Sequence, residues 1–185
     1  VSARGGALAD LLARIRLAAR PVVLIDGGSG SGKTTLAAVL APALGAQLVR
    51  LDDFYPGWDG LEAASAGVRD EVLDPVRPGW RRWDWRDDAA AEWHDLDPRL
   101  PLVVEGSGAL SRANRSLATF GIWVELDAPT RKLRALARDG EAYAPHWDRW
   151  AAQEARFGER ERPWAIADLV VTDDDVAAIL DGLAS

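Results

Sequence analysis

The sequence contains no cysteine and no methionine, and only two histidines among 185 residues. Without cysteine there can be no disulfide, no thiolate metal site and no cysteine nucleophile. Two histidines are too few for a histidine-rich metal centre. Long apolar runs are missing too: none approaches the roughly 18 residues that span a bilayer, so no membrane partner is expected. Basic excess is absent. The formal net charge is -7 and the pI is near 4.9, which speaks against nucleic acid as the main partner, because such proteins present a basic face to the phosphate backbone. A small phosphorylated molecule fits this balance better, and a homo-oligomer stays open. What is abundant is tryptophan, with nine residues, of which Trp58, Trp80, Trp83, Trp85 and Trp93 crowd into one segment.

At 20.0 kDa, with 48% hydrophobic and 28% charged residues, the expectation is one domain spanning residues 1–185. Arg4, Arg14, Arg16 and Arg20 lie among Ala and Leu near the start. Asp10 and the absence of a long uncharged core favour an amphipathic helix packed on the domain over a targeting peptide, and a cytoplasmic location.

The chain is organised around residues 22–35, VVLIDGGSGSGKTT. An apolar run ends in a glycine-rich turn that satisfies G-x-x-x-x-G-K-[ST] with Gly27, Gly32, Lys33 and Thr34. Gly27, Gly28, Gly30 and Gly32 let the backbone approach a phosphate chain, so that the N–H groups from Gly27 through Ser29, Ser31 and Thr35 can face its oxygens. Lys33 supplies positive charge, Thr34 a hydroxyl for Mg²⁺, and the following helix a positive dipole end. The motif implies a bound nucleoside triphosphate with Mg²⁺.

Alternating apolar and amphipathic stretches predict an α/β fold, a P-loop NTPase three-layer sandwich with a mostly parallel five-stranded sheet, helices on both faces and a helical lid. Strands are expected at residues 22–26, 47–51, 100–105, 122–126 and 167–171. The first long helix is expected at 33–40, broken by Pro42 and Gly45. Further helices are expected at 87–94 with Asp87 or Asp88 as cap, at 111–117, from Pro129 onward, from about 146 to 157, and after Asp173 or Asp174 through 183. Residues 55–88 show no clear period and are assigned to substrate binding; residues 138–150 are the lid region. His94 and His146 read as packing groups, and Trp123 and Trp164 as core or anchoring groups. Asp52 and Glu105 end strands on the rim where open parallel sheets bind ligands.

Several residues together resemble the uridine kinase and ribosylnicotinamide kinase branch of P-loop small-molecule kinases: the loop GGSGSGKTT, Asp52-Asp53-Phe54-Tyr55, Trp83-Asp84, Val104-Glu105-Gly106, and Arg131, Arg134, Arg138 and Asp139 in an R-x-x-R-x-x-x-R-D pattern. The resemblance implies an ATP-dependent phosphotransferase acting on a hydroxyl of a small, nucleoside-like acceptor. It makes Asp52 the catalytic base, Glu105 with Thr34 the Mg²⁺ group, and Lys33 and Arg138 the catalytic cations. Asp84, with Trp83 and Tyr55, would hold the acceptor. Uridine kinases carry a further arginine after the R-D pair, where this chain reads Gly140-Glu141-Ala142-Tyr143, and Arg149 would supply that charge. Arg131 and Arg134 read as solvated helix charges. Two alternatives stand: a nucleoside monophosphate kinase, with Arg77, Arg81, Arg82 and Arg86 receiving a phosphate acceptor, and a non-catalytic nucleotide-binding regulatory protein.

Overall fold

A computed structural model describes residues 6–181. Its centre is β1 (Val22–Asp26), buried along its whole length. With β2 (Gln47–Arg50), β5 (Leu102–Glu105), β6 (Phe120–Val124) and β7 (Leu169–Val171) it forms a sheet in the order β2-β5-β1-β6-β7. Every pairing in it is parallel. Alternation along β1 divides the core: Val23 and Ile25 face α1 (Gly6–Ile15), α2 (Lys33–Leu44) and α8 (Asp173–Asp181), whereas Val22 and Leu24 face α3 (Leu61–Gly67) and α6 (Trp147–Glu161). Side chains that alternate across a strand and are apolar on both faces need helices on both sides, which is why the strands read as continuous apolar runs.

Pro42 does not end α2, which continues to Leu44. The ring removes one amide from the last turn only, and Gly45 at φ 60° with Ala46 closes the end by bonding back to Pro42 and Ala41. Thr172, rather than Asp173 or Asp174, caps α8: the Thr172 amide donates to Asp175 and the Asp175 amide returns to the Thr172 hydroxyl. Residues 182–183, expected in that helix, lie outside the described residues. Short α4 (Arg112–Leu117) is capped by Ser111, and α5 (Ala128–Asp139) by Asp127, with proline in its first turn.

The larger corrections fall between residues 55 and 95. The stretch taken as aperiodic contains α3 and a wide turn, Val68–Val72, whose Leu61, Ala64, Val68 and Val72 recur at helical spacing and are all buried. The expected helix at 87–94 is instead β4 (Ala89–Asp95), antiparallel to β3 (Gly79–Asp84). Three alanines favour a helix, but cross-strand pairs outweigh that preference. Trp80 stacks on His94 at 4.2 Å, Arg81 lies over Trp93, and Arg82 donates to Glu92 at 2.6 Å. Phe54 then ties the hairpin to the core through Trp80, 5.9 Å away.

Candidate active site

The glycine-rich loop leaves the end of β1 and enters α2. Gly30 and Gly32 take φ of 82° and 101°, a left-handed backbone that only glycine adopts without strain. Lys33 is buried and its Nζ donates to the Gly28 carbonyl at 3.0 Å. The hydroxyl of Thr34 donates to Glu105 Oε1 at 3.0 Å, joining the start of α2 to the end of β5. Burial pushes the Glu105 carboxyl above its ordinary range, with Lys33 pulling the other way. A cation beside this pair would offset that desolvation. Among the described residues no cluster of three or more His, Cys, Asp or Glu could hold a metal alone. The oxygens of Thr34 and Glu105 are the kind of donor that suits Mg²⁺, a hard cation that keeps water and phosphate oxygens in its shell.

Asp26, overlooked in the sequence, underlies this arrangement. Its buried carboxylate accepts the amides of Gly27 at 2.6 Å and Leu110 at 2.8 Å, and that of Gly108 as well. One side chain thus fastens the phosphate loop to the turn after Glu105. Burial nevertheless raises its pKa to about 6, against the pull of those amides and of Lys33.

Beside the loop lies a cavity of about 420 Å³. Asp52, Ser29 and Arg138 share its wall, so a strand-end carboxylate, a loop residue and a cation converge on one space. Asp139 and Ala142 line it too, and the rest is aromatic. Trp58 lies 5.1 Å from Trp85 and 5.5 Å from Tyr143, and Tyr55 meets Trp150 edge to face at 4.6 Å. All five line the cavity. Tyr55 is buried and fixed by its hydroxyl, which donates to the Ser107 carbonyl at 2.8 Å. Arg138 is held by Asp139 at 2.7–2.8 Å.

Three residues expected at the acceptor do not reach this cavity. Asp84 closes the hairpin turn instead, accepting the amides of Arg86 and Asp87 and a contact from Arg82. Three donors already engage this carboxylate, two of them on Oδ1. Trp83 sits within β3 with its indole N–H buried and unpartnered among the described residues. Trp85, two residues on, lines the cavity and donates to the Asp52 carbonyl at 3.0 Å. Arg149 pairs with Asp59 at the surface. Trp83 lies within β3, whereas Trp85 lies in the turn beyond it, where the chain comes back beside Asp52.

Arg131 departs from the solvated reading, whereas Arg134 is a surface partner of Asp173. The Arg131 guanidinium is 18% exposed, crosses Gly28, and donates to the Ser29 carbonyl at 3.3 Å and to Glu154 at 3.2 Å. Its place on the helix face with Arg138 was visible; its partner on α6 was not. Trp123 and Trp164 meet edge to face at 5.6 Å beside a second cavity of about 320 Å³, which shares Gly27 and Gly28 with the loop but neither Asp52 nor Arg138. Trp164 is exposed there rather than core. No helix among the described residues is long and apolar enough to cross a membrane.

No protein-family model matches the sequence. It is 38% identical over 109 residues to the tRNA dimethylallyltransferase of Rhodospirillum centenum, a match taking in 52% of this chain and 34% of that protein. The match spans about a third of that relative's length. Solved structures of similar fold include one described as a possible uridine kinase from Bacillus stearothermophilus, with TM-score 0.59 and 21% identity over 90% of this chain and 96% of that one. A shikimate kinase from Acinetobacter baumannii gives 0.54 and 14%, covering 92% and 93%. A gluconokinase from Sinorhizobium meliloti gives 0.52 and 17%, covering 89% and 91%. The chain has the P-loop NTPase fold in the arrangement of such kinases.

Proposed function

We propose that the chain is an ATP- and Mg²⁺-dependent kinase that phosphorylates a hydroxyl of a small, nucleoside-like acceptor. The observation that carries this reading is the convergence of Asp52, Ser29 and Arg138 on one aromatic-walled cavity beside the phosphate loop. The loop amides and Lys33 hold the donor's phosphates. Thr34 and Glu105 would hold Mg²⁺, which neutralises charge on the phosphates when bound. Asp52 accepts the proton of the acceptor hydroxyl as its oxygen attacks the terminal phosphorus and the bond to the leaving diphosphate breaks. Arg138 faces the charge that develops in transfer. Residues 138–150 serve as the lid, and the flat walls of Trp58 and Tyr143 suit a heterocyclic acceptor.

A phosphate acceptor is disfavoured by the arginines of the 77–86 segment. Arg82 is committed to Glu92 and Asp84, Arg81 to the Ala91 carbonyl, and none of the four lines the cavity. Transfer of a dimethylallyl group to tRNA, the activity named for the curated relative, finds little support in a chain of net charge -7 that matches about a third of that protein. The test is ADP release across nucleosides, nucleoside monophosphates and other alcohols, run with wild type and Asp52→Asn. A hydroxyl acceptor predicts a loss of about 10²- to 10⁴-fold in turnover for the variant, with ATP affinity retained. Undiminished turnover would sink the assignment of Asp52, and ATP binding without phosphoryl transfer to any acceptor would favour a regulatory protein.

A further inference from the structure

Glu154 projects from α6 into the phosphate loop, although nothing in its sequence context marks it. Its side chain is 11% exposed. Oε1 accepts the Ser29 amide at 2.6 Å and the Trp150 indole N–H at 3.1 Å, and lies 2.8 Å from the Ser107 hydroxyl. Oε2 faces Arg131 at 3.2 Å. Four segments meet at one carboxylate: the phosphate loop, the turn after β5, α5, and α6 itself. The Ser107 hydroxyl also lies 3.1 Å from the Gly27 carbonyl, so the first peptides of the loop are held from two directions.

We propose that Glu154 is a positioning residue that couples the phosphate loop to the wall of the acceptor cavity. The inference rests on the kinase reading above. Glu154 lines the second cavity with Gly27 and Gly28, not the cavity shared by Asp52 and Arg138. Glu154 meets the loop from the side of the second cavity, where Arg131 balances its charge. Trp150 stands four residues earlier on the same helix face and lines the acceptor cavity. A change in the Ser29 peptide on donor binding therefore alters the hydrogen bond that fixes the Trp150 ring. Coupling of this kind needs a continuous set of contacts that both sites touch, and Ser29, Glu154 and Trp150 form one.

The experiment uses protein labelled with 5-fluorotryptophan, the Trp150 resonance being identified by Trp150→Phe. Mg–ATP should shift that resonance in wild type. Glu154→Ala should bind Mg–ATP about tenfold or more weakly, as expected for loss of a charge-assisted hydrogen bond, and at saturation should leave the Trp150 resonance in place. Glu154→Gln keeps an acceptor for Ser29 and Trp150 and should restore the shift, an outcome that simple loss of packing would not give. Wild type that fails to bind Mg–ATP overturns the kinase reading and this inference together. Wild type that binds it with the Trp150 resonance unmoved, or a Glu154→Ala protein that responds like wild type, overturns the coupling alone.

Discussion

Asp26 makes stability depend on pH in a direction opposite to that of an ordinary ion-paired carboxylate. Its folded pKa of about 6 lies above the reference value of 3.8, so the folded state holds the proton more tightly than the unfolded chain does. The stabilising contribution is complete below about pH 4 and is lost as pH rises through about 6. A separation of about two units corresponds to about 3 kcal/mol, of which about 2 kcal/mol falls between about pH 4.5 and about pH 7.5. Asp26→Asn removes the titration. It also leaves an amide of the Gly108–Leu110 turn without its acceptor, at about 1–3 kcal/mol, but that loss does not vary with pH. Urea unfolding of both proteins across this range separates the two effects. Glu105, also raised by burial, gives the same sign in each protein and drops out of the difference. Wild type should lose about 2 kcal/mol relative to the variant on going from about pH 4.5 to about pH 7.5. Parallel curves for the two proteins would refute the reasoning, since they would mean that Asp26 titrates alike folded and unfolded.

Gly30→Ala would place a methyl group 2.2 Å from the Arg131 carbonyl oxygen at a φ of 82°. Left-handed strain together with overpacking predicts a loss of about 2–5 kcal/mol in chemical unfolding and weakened ATP binding; a variant as stable as wild type would contradict the close approach of α5 to the loop. Trp85→Ala should raise KM about tenfold for whichever alcohol the acceptor screen returns, because a stacked wall is removed. Asp84→Asn should leave that KM within about twofold while lowering the unfolding midpoint through the hairpin turn. The reverse pattern would restore Asp84 to the acceptor site.

Legibility in the sequence followed the range of the interactions involved. The loop and its strand are local, since an apolar run, glycines and Lys33-Thr34 lie within fourteen positions, and buried parallel strands advertise themselves as unbroken apolar stretches. The hairpin was misread because Ala89, Ala90 and Ala91 carry a helical preference, whereas Trp80–His94 and Arg82–Glu92 stabilise a strand only after the chain has turned. Trp85 lies in the turn after β3, where its indole N–H reaches the Asp52 carbonyl 33 positions earlier, a long-range contact that no local pattern announces. Arg131 looked like solvated charge because its partners, Ser29 and Glu154, lie 102 and 23 positions away.

The same long-range contacts pair the polar groups of the candidate site with one another. Lys33 rests on the Gly28 carbonyl, Thr34 on Glu105, the Ser29 amide on Glu154, and Arg138 on Asp139. The loop groups suited to phosphate and metal are thus satisfied by the protein itself, as buried polar groups must be, whereas the Arg138–Asp139 pair is exposed to solvent. Donor binding is then an exchange of partners, and its net strength is the difference between two sets of hydrogen bonds rather than the sum of the new ones. Glu105 loses only a neutral donor if Thr34 turns away, and its buried carboxylate then relies on Lys33 unless a cation joins it. Arg138 and Asp139 both line the cavity already, so a phosphoryl group transferred there would meet a cation whose charge its neighbour partly balances.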